Sequence, residues 1–487
     1  MFTTHLKLAF RTLRKQRGFS FINIAGLAIG IASCLMMLLY VSNELSYDHF
    51  HEKADRIVRV VVKGNFQGEP LKEPMAMPPV AAALQENFPE IEEATRLRNQ
   101  GKQTIVVSEQ VFHDQTTAYV DPSFFSVFSF PFLQGDPTTA LEEASSVVIS
   151  SSVAQRYFGQ QNPLGKTIRL KNQQADFMVT GVMEDMPDNS HLQKEILLSM
   201  TGWEEARSPS YLQSEYYTYL VLPQGYNYLD LEAKLPSVFN QKLEPQLQKA
   251  MGMSFDEFRS KGNDLGLFLQ PLTDIYLHSD FAFDIASHGD IRYVYIFSAI
   301  AMFMLLIACI NFMNLSTAGA AKRAKEVGVR KVLGSQPSDL VAQFLTESNV
   351  LTFLSLIIAV VLVQVTLPFF NQLIDRDLSF GWLQNWWLAP MLVLFGGVVG
   401  LLAGSYPAFF LAQFRPKTAL NQGSSPTSHG VSLRRGLVFF QFVLTIPLLI
   451  GTAIVFQQMR FIQNAKLGYD TESVLVVKQP WRLHEKE

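Results

Sequence analysis

Residues 293–321 read YVYIFSAIAMFMLLIACINFMNLSTAGAA, a run of 29 residues without a single Asp, Glu, Lys or Arg. About 20 predominantly apolar residues are enough to cross the hydrocarbon core of a bilayer as a helix. Four further stretches of the 487-residue chain pass the same test, at 18–43, 348–374, 378–414 and 436–459. The sequence therefore predicts an all-α membrane bundle of about five spans.

The segment between the first two spans has the composition of a soluble domain. Residues 44–290 contain no charge-free run longer than 14 residues. Strand-like and helix-like patches alternate along it, which predicts a large mixed α/β domain in two lobes. The predicted strands are 57–63, 104–107, 147–150, 167–170, 177–182 and 216–222, and the predicted helices are 79–88 and 151–158.

Composition excludes several classes of protein. Only 17% of the residues are charged, against roughly 25% in an average soluble domain. The net charge of −3 gives no support to a nucleic-acid binder, which usually has a basic face. Two cysteines, Cys34 and Cys309, cannot form a disulfide framework or a four-cysteine zinc site. The five apolar stretches also lack the Asp, Glu, Lys, Arg and His residues on which ion-coupled carriers depend.

The distribution of basic residues predicts how the chain is oriented. Residues 1–17, 322–347 and 415–435 together hold 14 basic and 3 acidic residues, whereas the remainder holds 26 and 40. By the positive-inside rule the N-terminus is cytoplasmic and the large domain is extracytoplasmic. The first stretch is longer than a signal-peptide core, so we expect a retained anchor. Its basic flank, 1–17, is either an interfacial amphipathic helix or a plain topogenic charge cluster.

Small residues recur at every fourth position in two of the spans. The first span has Gly26 and Gly30, and the fourth has Gly396, Gly400 and Gly404. Such stripes allow two helix backbones to approach closely. They predict either a seam between two subunits or packing within one bundle, and the sequence leaves both open.

The basic loop between the second and third spans has a helical pattern. Its valines and Leu333 recur at apolar positions, Gly334 is a stop signal, and Ser338 is a candidate N-cap for the next helix. A short amphipathic helix between two spans can dock on a soluble partner or lie on the membrane surface. The loop, 318–348, reads AGAAKRAKEVGVRKVLGSQPSDLVAQFLTES.

The string KEVGVRKVLGS at 325–335 resembles the cytoplasmic segment of FtsX-like ABC-transporter permeases, the group that includes the MacB macrolide exporters. Strings in the large domain are similar to the periplasmic core domain of that group; they lie at 44–48, 54–60, 147–150, 157–159, 163–166, 177–185 and 271–277. The resemblance implies a permease of the bacterial inner membrane that forms a homodimer, or a heterodimer with a similar permease, and works with a cytoplasmic ABC ATPase.

The resemblance also implies that the loop 322–335 is the coupling helix that receives the stroke of the ATPase. Its expected residues are Lys322, Arg323, Glu326, Gly328, Val329, Arg330, Lys331, Leu333 and Gly334. We expect Val329 and Leu333 to make the apolar contact, and Arg330 and Lys331 to meet acidic residues at the rim of the ATPase. The partner would use ATP, and we expect no catalytic, cofactor-binding or metal-binding residue in this chain.

One stretch of the chain looks like a phosphate-binding loop, but it does not support a nucleotide site. Residues 159–167 read GQQNPLGKT, but five residues separate the glycines where the phosphate-binding loop requires four. We therefore predict a turn there.

The expected function is export or extraction of a substrate, or conformational work on the periplasmic side. A periplasmic protein is a further expected partner. The alternative is a membrane-anchored sensor or scaffold without transport.

The end of the chain repeats features of its beginning. LGYD at 467–470 and a strand-like patch at 474–477 follow the fifth span as similar features follow the first, which predicts the start of a second extracytoplasmic repeat. The predicted order is a cytoplasmic helix 1–17, span 18–43, periplasmic domain 44–290, span 291–318, coupling loop 319–346, spans 347–371 and 384–414, cytoplasmic loop 415–435, span 436–459 and repeat 460–487.

Overall fold

The computed structural model describes residues 17–281, 283–381, 386–412 and 428–464, together with residues 7, 8, 11, 13 and 15. Most of the predicted segment 1–17 and of the loop 415–435, and the second repeat beyond residue 464, lie outside the described residues. The chain divides into two compact units. The first includes residues 300–366, and the second consists of residues 36–299 and 367–380.

Helices alternate with strands between the first two long helices, as the prediction of a large mixed α/β domain requires. The helices are α1 Arg17–Leu45, α2 Val80–Asn87, α3 Phe124–Val127, α4 Ser151–Phe158, α5 Tyr228–Glu232, α6 Leu235–Met251, α7 Phe255–Ser260, α8 Ile275–His278, α9 Ile291–Val332, α10 Pro337–Ile374, α11 Leu388–Ala412 and α12 Ser428–Asn464. The strands are β1 Ile57–Phe66, β2 Glu69–Glu73, β3 Glu93–Val107, β4 Gln110–Val120, β5 Phe132–Gln134, β6 Ser146–Ser150, β7 Thr167–Leu170, β8 Ala175–Met183, β9 Ile196–Ser199, β10 Tyr217–Val221 and β11 Asp264–Pro271.

Five of the described helices are long and apolar enough to cross a membrane, as the sequence predicts. Their candidate spans are Arg17–Leu45, Ile291–Ala318, Pro337–Ile374, Leu388–Ala412 and Arg434–Asn464. The predicted fold class, a helical membrane part with a large mixed α/β domain, is therefore confirmed.

One hydrogen-bonded sheet runs through the α/β domain in the order β11-β1-β10-β3-β4-β9-β6-β8-β5. Helices cover it in two groups, with α2, α5 and α6 at the β10 and β11 end and α4 on β6 and β8. The two predicted lobes thus share a single sheet. Residues 159–166 form the turn between α4 and β7, and Gly159 and Gly165 take positive φ angles there.

Strand β1 shows why the sheet is buried on both faces. Its first six residues are all buried. Val58, Val60 and Val62 belong to the core under α2, α6 and α7, whereas Ile57 belongs to a second core on the other face. Because the side chains of a strand alternate between faces, Arg59 points to the same side as Ile57 and is fully buried.

The structure corrects the prediction of a separate short helix after the second span. α9 is one helix of 42 residues, and it continues through the basic residues to Val332. The reason is local, because residues 319–332 lack proline and are rich in Ala, Lys, Arg and Glu, which favour helix. The prediction of Ser338 as N-cap was also wrong. α10 begins one residue earlier, at Pro337, and Asp339 accepts a hydrogen bond from the Gln336 N–H at 3.3 Å.

Candidate functional site

The turn that joins α9 to α10 is closed by a glycine. Gly334 has a φ of +96°, which favours glycine over other residues. Its N–H donates to the Lys331 carbonyl at 3.1 Å, and the Ser335 N–H donates to the Arg330 carbonyl at 3.1 Å. These two bonds form the Schellman motif, so the turn has a defined backbone path.

One side of the end of α9 is buried. Val327, with 2% of its surface exposed, packs in a small core with side chains from α10 and α11. Its partners are Leu340, Phe344, Ala408 and Leu411. This core fixes the last turn of α9 to both following helices.

Polar contacts reinforce that attachment. Arg330 Nη1 donates to Gln343 Oε1 at 2.7 Å, and Gln343 Nε2 donates to Glu347 Oε1 at 2.9 Å. Lys331 Nζ donates to the carbonyl of Ala412, the last residue of α11, at 2.6 Å. A lysine at a helix C-terminus satisfies a carbonyl that has no partner within the helix. The two basic side chains that we expected at the rim of a partner therefore make contacts within the chain.

The opposite side of the same turn is apolar and exposed. Val329, Val332 and Leu333 have 44%, 65% and 80% of their surfaces exposed, and they follow one another at i, i+3 and i+4 on the helix. We call these three residues the apolar patch. Side chains at this spacing lie on one face of a helix. The side chains of residues 319–326, which include the expected Lys322, Arg323 and Glu326, lie outside the described part of the structure.

Sequence reasoning missed Gln343, Glu347 and Ala412. The first two are buried polar residues four apart on α10, and that spacing was a readable sign of a shared helix face. Ala412 contributes only its backbone carbonyl, for which no sequence pattern exists.

The glycine stripe of the fourth span packs within the chain. A Cβ added to Gly400 would lie 3.1 Å from the Cα of Asn349, and one on Gly404 would lie 2.6 Å from the Cβ of Ser348. Gly396 faces the same helix, α10. The close approach that small residues permit is thus used between α10 and α11.

The stripe of the first span is also in contact with a helix of the same chain. A Cβ on Gly30 would overlap with that of Ala308, and one on Gly26 would lie 3.5 Å from Asn311 Nδ2. Both residues face α9. These contacts are those of packing within one bundle, which is one of the two alternatives that the sequence left open.

The loop that follows α1 is bound to the α/β domain. The Asp48 N–H donates to the Asn189 carbonyl at 2.8 Å, and its carboxylate lies 2.9 Å from His191 Nδ1. His191 Nε2 in turn lies 2.8 Å from the hydroxyl of Tyr219, on β10. Burial alone would raise the pKa of Asp48, but the interactions with His191 hold it below its ordinary value. Asp48 therefore stays ionised and ties residues 46–51 to the sheet.

His51, in the same loop, is a buried titratable residue. It is buried against Phe128 and Phe130, and its Nδ1 accepts a hydrogen bond from the Ser129 N–H at 3.1 Å. Burial lowers the pKa of His51 to about 4. The unfolded chain takes up that proton near the ordinary value of 6.5, so it binds more protons than the folded chain between pH 6.5 and 4.

We therefore expect the thermal stability of the full chain to fall as the pH is lowered from 6.5 towards 4. His51→Asn keeps an acceptor for Ser129 and cannot titrate, so it should flatten this dependence. Unfolding temperatures measured at several pH values for both proteins test the prediction. An equally steep dependence in the variant would contradict it.

Metal binding has no support in the described residues, where no group of three or more His, Cys, Asp or Glu side chains could hold an ion.

Two family models match the chain. The MacB-like periplasmic core domain matches residues 20–238, and the FtsX-like permease C-terminal matches residues 298–416. The first covers α1 and most of the α/β domain, and the second covers the α9–α10 turn and α11.

Two curated relatives show what the chain is similar to. The macrolide export ATP-binding/permease protein MacB of Bdellovibrio bacteriovorus is 24% identical over 283 residues, which are 56% of this chain and 38% of the relative. The pyoverdine export ATP-binding/permease protein PvdT of Pseudomonas syringae pv. syringae is 23% identical over 368 residues, 73% of this chain and 50% of the relative. This chain thus spans half or less of the length of these two relatives, and it matches their permease parts.

Among solved structures, the periplasmic region of MacB from Actinobacillus actinomycetemcomitans is similar to the chain. The likeness has a TM-score of 0.31 and 15% identity, and it covers 46% of this chain and 91% of that one.

Proposed function

Because the chain belongs to the FtsX-like permeases that carry a MacB-like periplasmic core domain, we propose that it is the permease subunit of an ABC transporter. A separate cytoplasmic ATPase would hydrolyse the ATP, and this chain would bind no cofactor and catalyse no reaction itself. The work done would be export or extraction of a substrate, or a conformational change on the periplasmic side. The observation that carries the proposal is the exposed apolar patch on a firmly anchored turn.

The proposed location is the inner membrane of a bacterium, with the N-terminus in the cytoplasm and the α/β domain in the periplasm. The excess of basic residues in 1–17, 322–347 and 415–435 supports this orientation. In this orientation the α9–α10 turn would lie in the cytoplasm, where an ATPase could reach it. A dimer, with a second copy or with a similar permease, is the assembly that the family resemblance implies.

The contacts of the turn suggest how a stroke would be received. Val329, Val332 and Leu333 are free to enter an apolar groove on the ATPase. The side chains of Arg330 and Lys331, in the same turn, are hydrogen-bonded to α10 and to the end of α11. A push on the patch would therefore reach two membrane helices at once, through side chains rather than through a flexible loop.

The proposal predicts that Val329→Asp combined with Leu333→Asp abolishes capture of the ATPase. Buried interface anchors cost about 1–3 kcal/mol or more each when lost, which corresponds to at least about a tenfold loss of bound partner. The affinity-tagged permease is co-expressed with P-loop ATPases of the same genome, and the ATPase that co-purifies is quantified.

A matched control is Val111→Asp combined with Leu212→Asp, since these residues of the α/β domain have 44% and 46% of their surfaces exposed. This control should retain the ATPase. If the Val329/Leu333 variant inserts normally and recovers as much ATPase as the control, the coupling assignment is wrong, and the sensor or scaffold alternative gains support.

A further inference from the structure

The end of α1, the short helix α8 and the turn after α10 meet at one buried tyrosine, Tyr276. The hydroxyl of Tyr276, on α8, lies 3.1 and 3.0 Å from the two carboxylate oxygens of Glu44, near the end of α1. Arg376, two residues beyond α10, donates to the same hydroxyl from Nη2 at 2.9 Å. The ring of Tyr47 stacks on that of Tyr276 with 3.4 Å between centroids. We call Glu44, Tyr47, Tyr276 and Arg376 the Tyr276 cluster.

The hydrogen bonds of the Tyr276 cluster are donated in one direction, from Arg376 to Tyr276 and from Tyr276 to Glu44. The guanidinium of Arg376 has only donors, the carboxylate of Glu44 has only acceptors, and the phenol between them does both. Glu44 has 3% of its surface exposed and Tyr276 has 4%. Burial, with the charge of Glu44 nearby, holds the pKa of Tyr276 well above its usual value, so the phenol keeps its proton. Removing the hydroxyl would break both links and leave a buried carboxylate without this donor.

The turn after α10 presents Arg376 to the cluster. Asp375 takes a φ of +53°, and the Arg376 N–H donates to the Asn371 carbonyl at 3.2 Å. Asn371 Nδ2 donates onward to the Leu378 carbonyl at 2.9 Å. The guanidinium also lies 5.6 Å from the centre of the Tyr47 ring.

The cluster continues into the sheet of the α/β domain. Tyr47 is followed directly by Asp48, which is bound to Asn189 and His191, and His191 contacts Tyr219 on β10. Side chains and short backbone links therefore connect Arg376 to the sheet without a gap. A cavity of about 480 Å³ is lined by Glu44, Tyr276 and Arg376.

We infer that Tyr276 and Arg376 are positioning residues that pass a displacement of α10 to the α/β domain. The inference rests on the proposed function, because α10 begins at Pro337, next to the turn offered to the ATPase, and runs as one helix to Ile374. A shift of that helix moves Arg376, and the chain of hydrogen bonds carries the shift to α1, to residues 46–51 and so to β10.

Hydrogen exchange of the purified permease–ATPase complex, with and without ATP and vanadate, tests this transfer. In the wild type, nucleotide should change exchange both at residues 333–347 and at residues 46–51. Tyr276→Phe keeps the ring stack with Tyr47 but removes both hydrogen bonds. We expect the nucleotide-induced change at 46–51 to fall at least about fivefold while the change at 333–347 persists. Tyr293→Phe, at an exposed site on α9, is the matched control and should behave as wild type.

Arg376→Gln provides a second variant, because it alters a turn residue and leaves the buried tyrosine in place. It should give the same loss at 46–51, whereas Arg376→Lys, which keeps a charged donor, should restore part of the response. Unchanged exchange of β6 and β9 without nucleotide shows that the variants are folded. Wild-type transfer in both Tyr276→Phe and Arg376→Gln would overturn the inference alone. No nucleotide effect at 333–347 in the wild type would overturn the proposed function as well.

Discussion

Arg59→Ala is expected to destabilise the α/β domain by about 3–5 kcal/mol, because it leaves the buried carboxylate of Asp284 without the guanidinium that pairs with it. Arg59 Nη1 lies 2.8 Å from Asp284 Oδ1, and both side chains are fully buried. Arg59 Nη2 also donates to Gln270 Oε1 at 2.8 Å. Although burial opposes ionisation, His288 and Arg59 lower the pKa of Asp284 to about 2, so the carboxylate is charged at neutral pH.

The loss can be measured as a shift in the unfolding midpoint of the full chain in detergent. Arg169→Ala is the matched control, since Arg169 also pairs with an aspartate, Asp176, but this pair is exposed. An exposed pair contributes about 0–1 kcal/mol. Similar losses for Arg59→Ala and Arg169→Ala would show that burial of the Arg59 pair does not carry the stability assigned to it.

The Arg59 pair marks a limit of what sequence reasoning could find. The valine-rich pattern of β1 predicts a strand, and β6, β7, β8 and β10 were also predicted within two residues at each end. A charged residue within such a strand is ordinarily assigned to a solvated face. Its burial depends on Asp284, which lies 225 residues further along the chain, and one sequence holds no record of that pairing.

The α9–α10 turn likewise has features that the sequence could predict and features that it could not. Gly334 as a helix stop and the exposed positions of Val329 and Leu333 follow from spacing along a single helix, so the sequence was sufficient for them. The roles of Arg330 and Lys331 could not be predicted from the sequence, because Lys331 donates to the carbonyl of Ala412, 81 residues away.

Strand β3 is a third feature that the sequence predicted only in part. Its first half is polar and partly exposed, which hid a strand that begins at Glu93, well before the predicted residue 104.

The close contact between α10 and α11 gives the second large expected effect. Gly400→Leu should cost about 1–3 kcal/mol or more, because the first carbon of the new side chain would lie 2.5 Å from Asn349 Oδ1 and 3.1 Å from the Asn349 Cα, and a well-packed site cannot absorb three further carbons. Gly397→Leu is the matched control on the same helix. A Cβ there meets no described heavy atom within 4 Å, so the substitution should be tolerated.

Thermal unfolding at several ratios of protein to lipid separates packing within the chain from a seam between subunits. If Gly400 packs against α10 of its own chain, the Gly400→Leu loss does not depend on dilution, since no second chain takes part. A subunit seam would instead give a loss that changes with dilution, because association stabilises by mass action. A dilution-dependent loss, or equal stability of the Gly400 and Gly397 variants, would contradict the contact of Gly400 with Asn349. A dilution-independent loss confined to Gly400→Leu would also tie the fourth span to α10, the helix through which the α9–α10 turn is proposed to act.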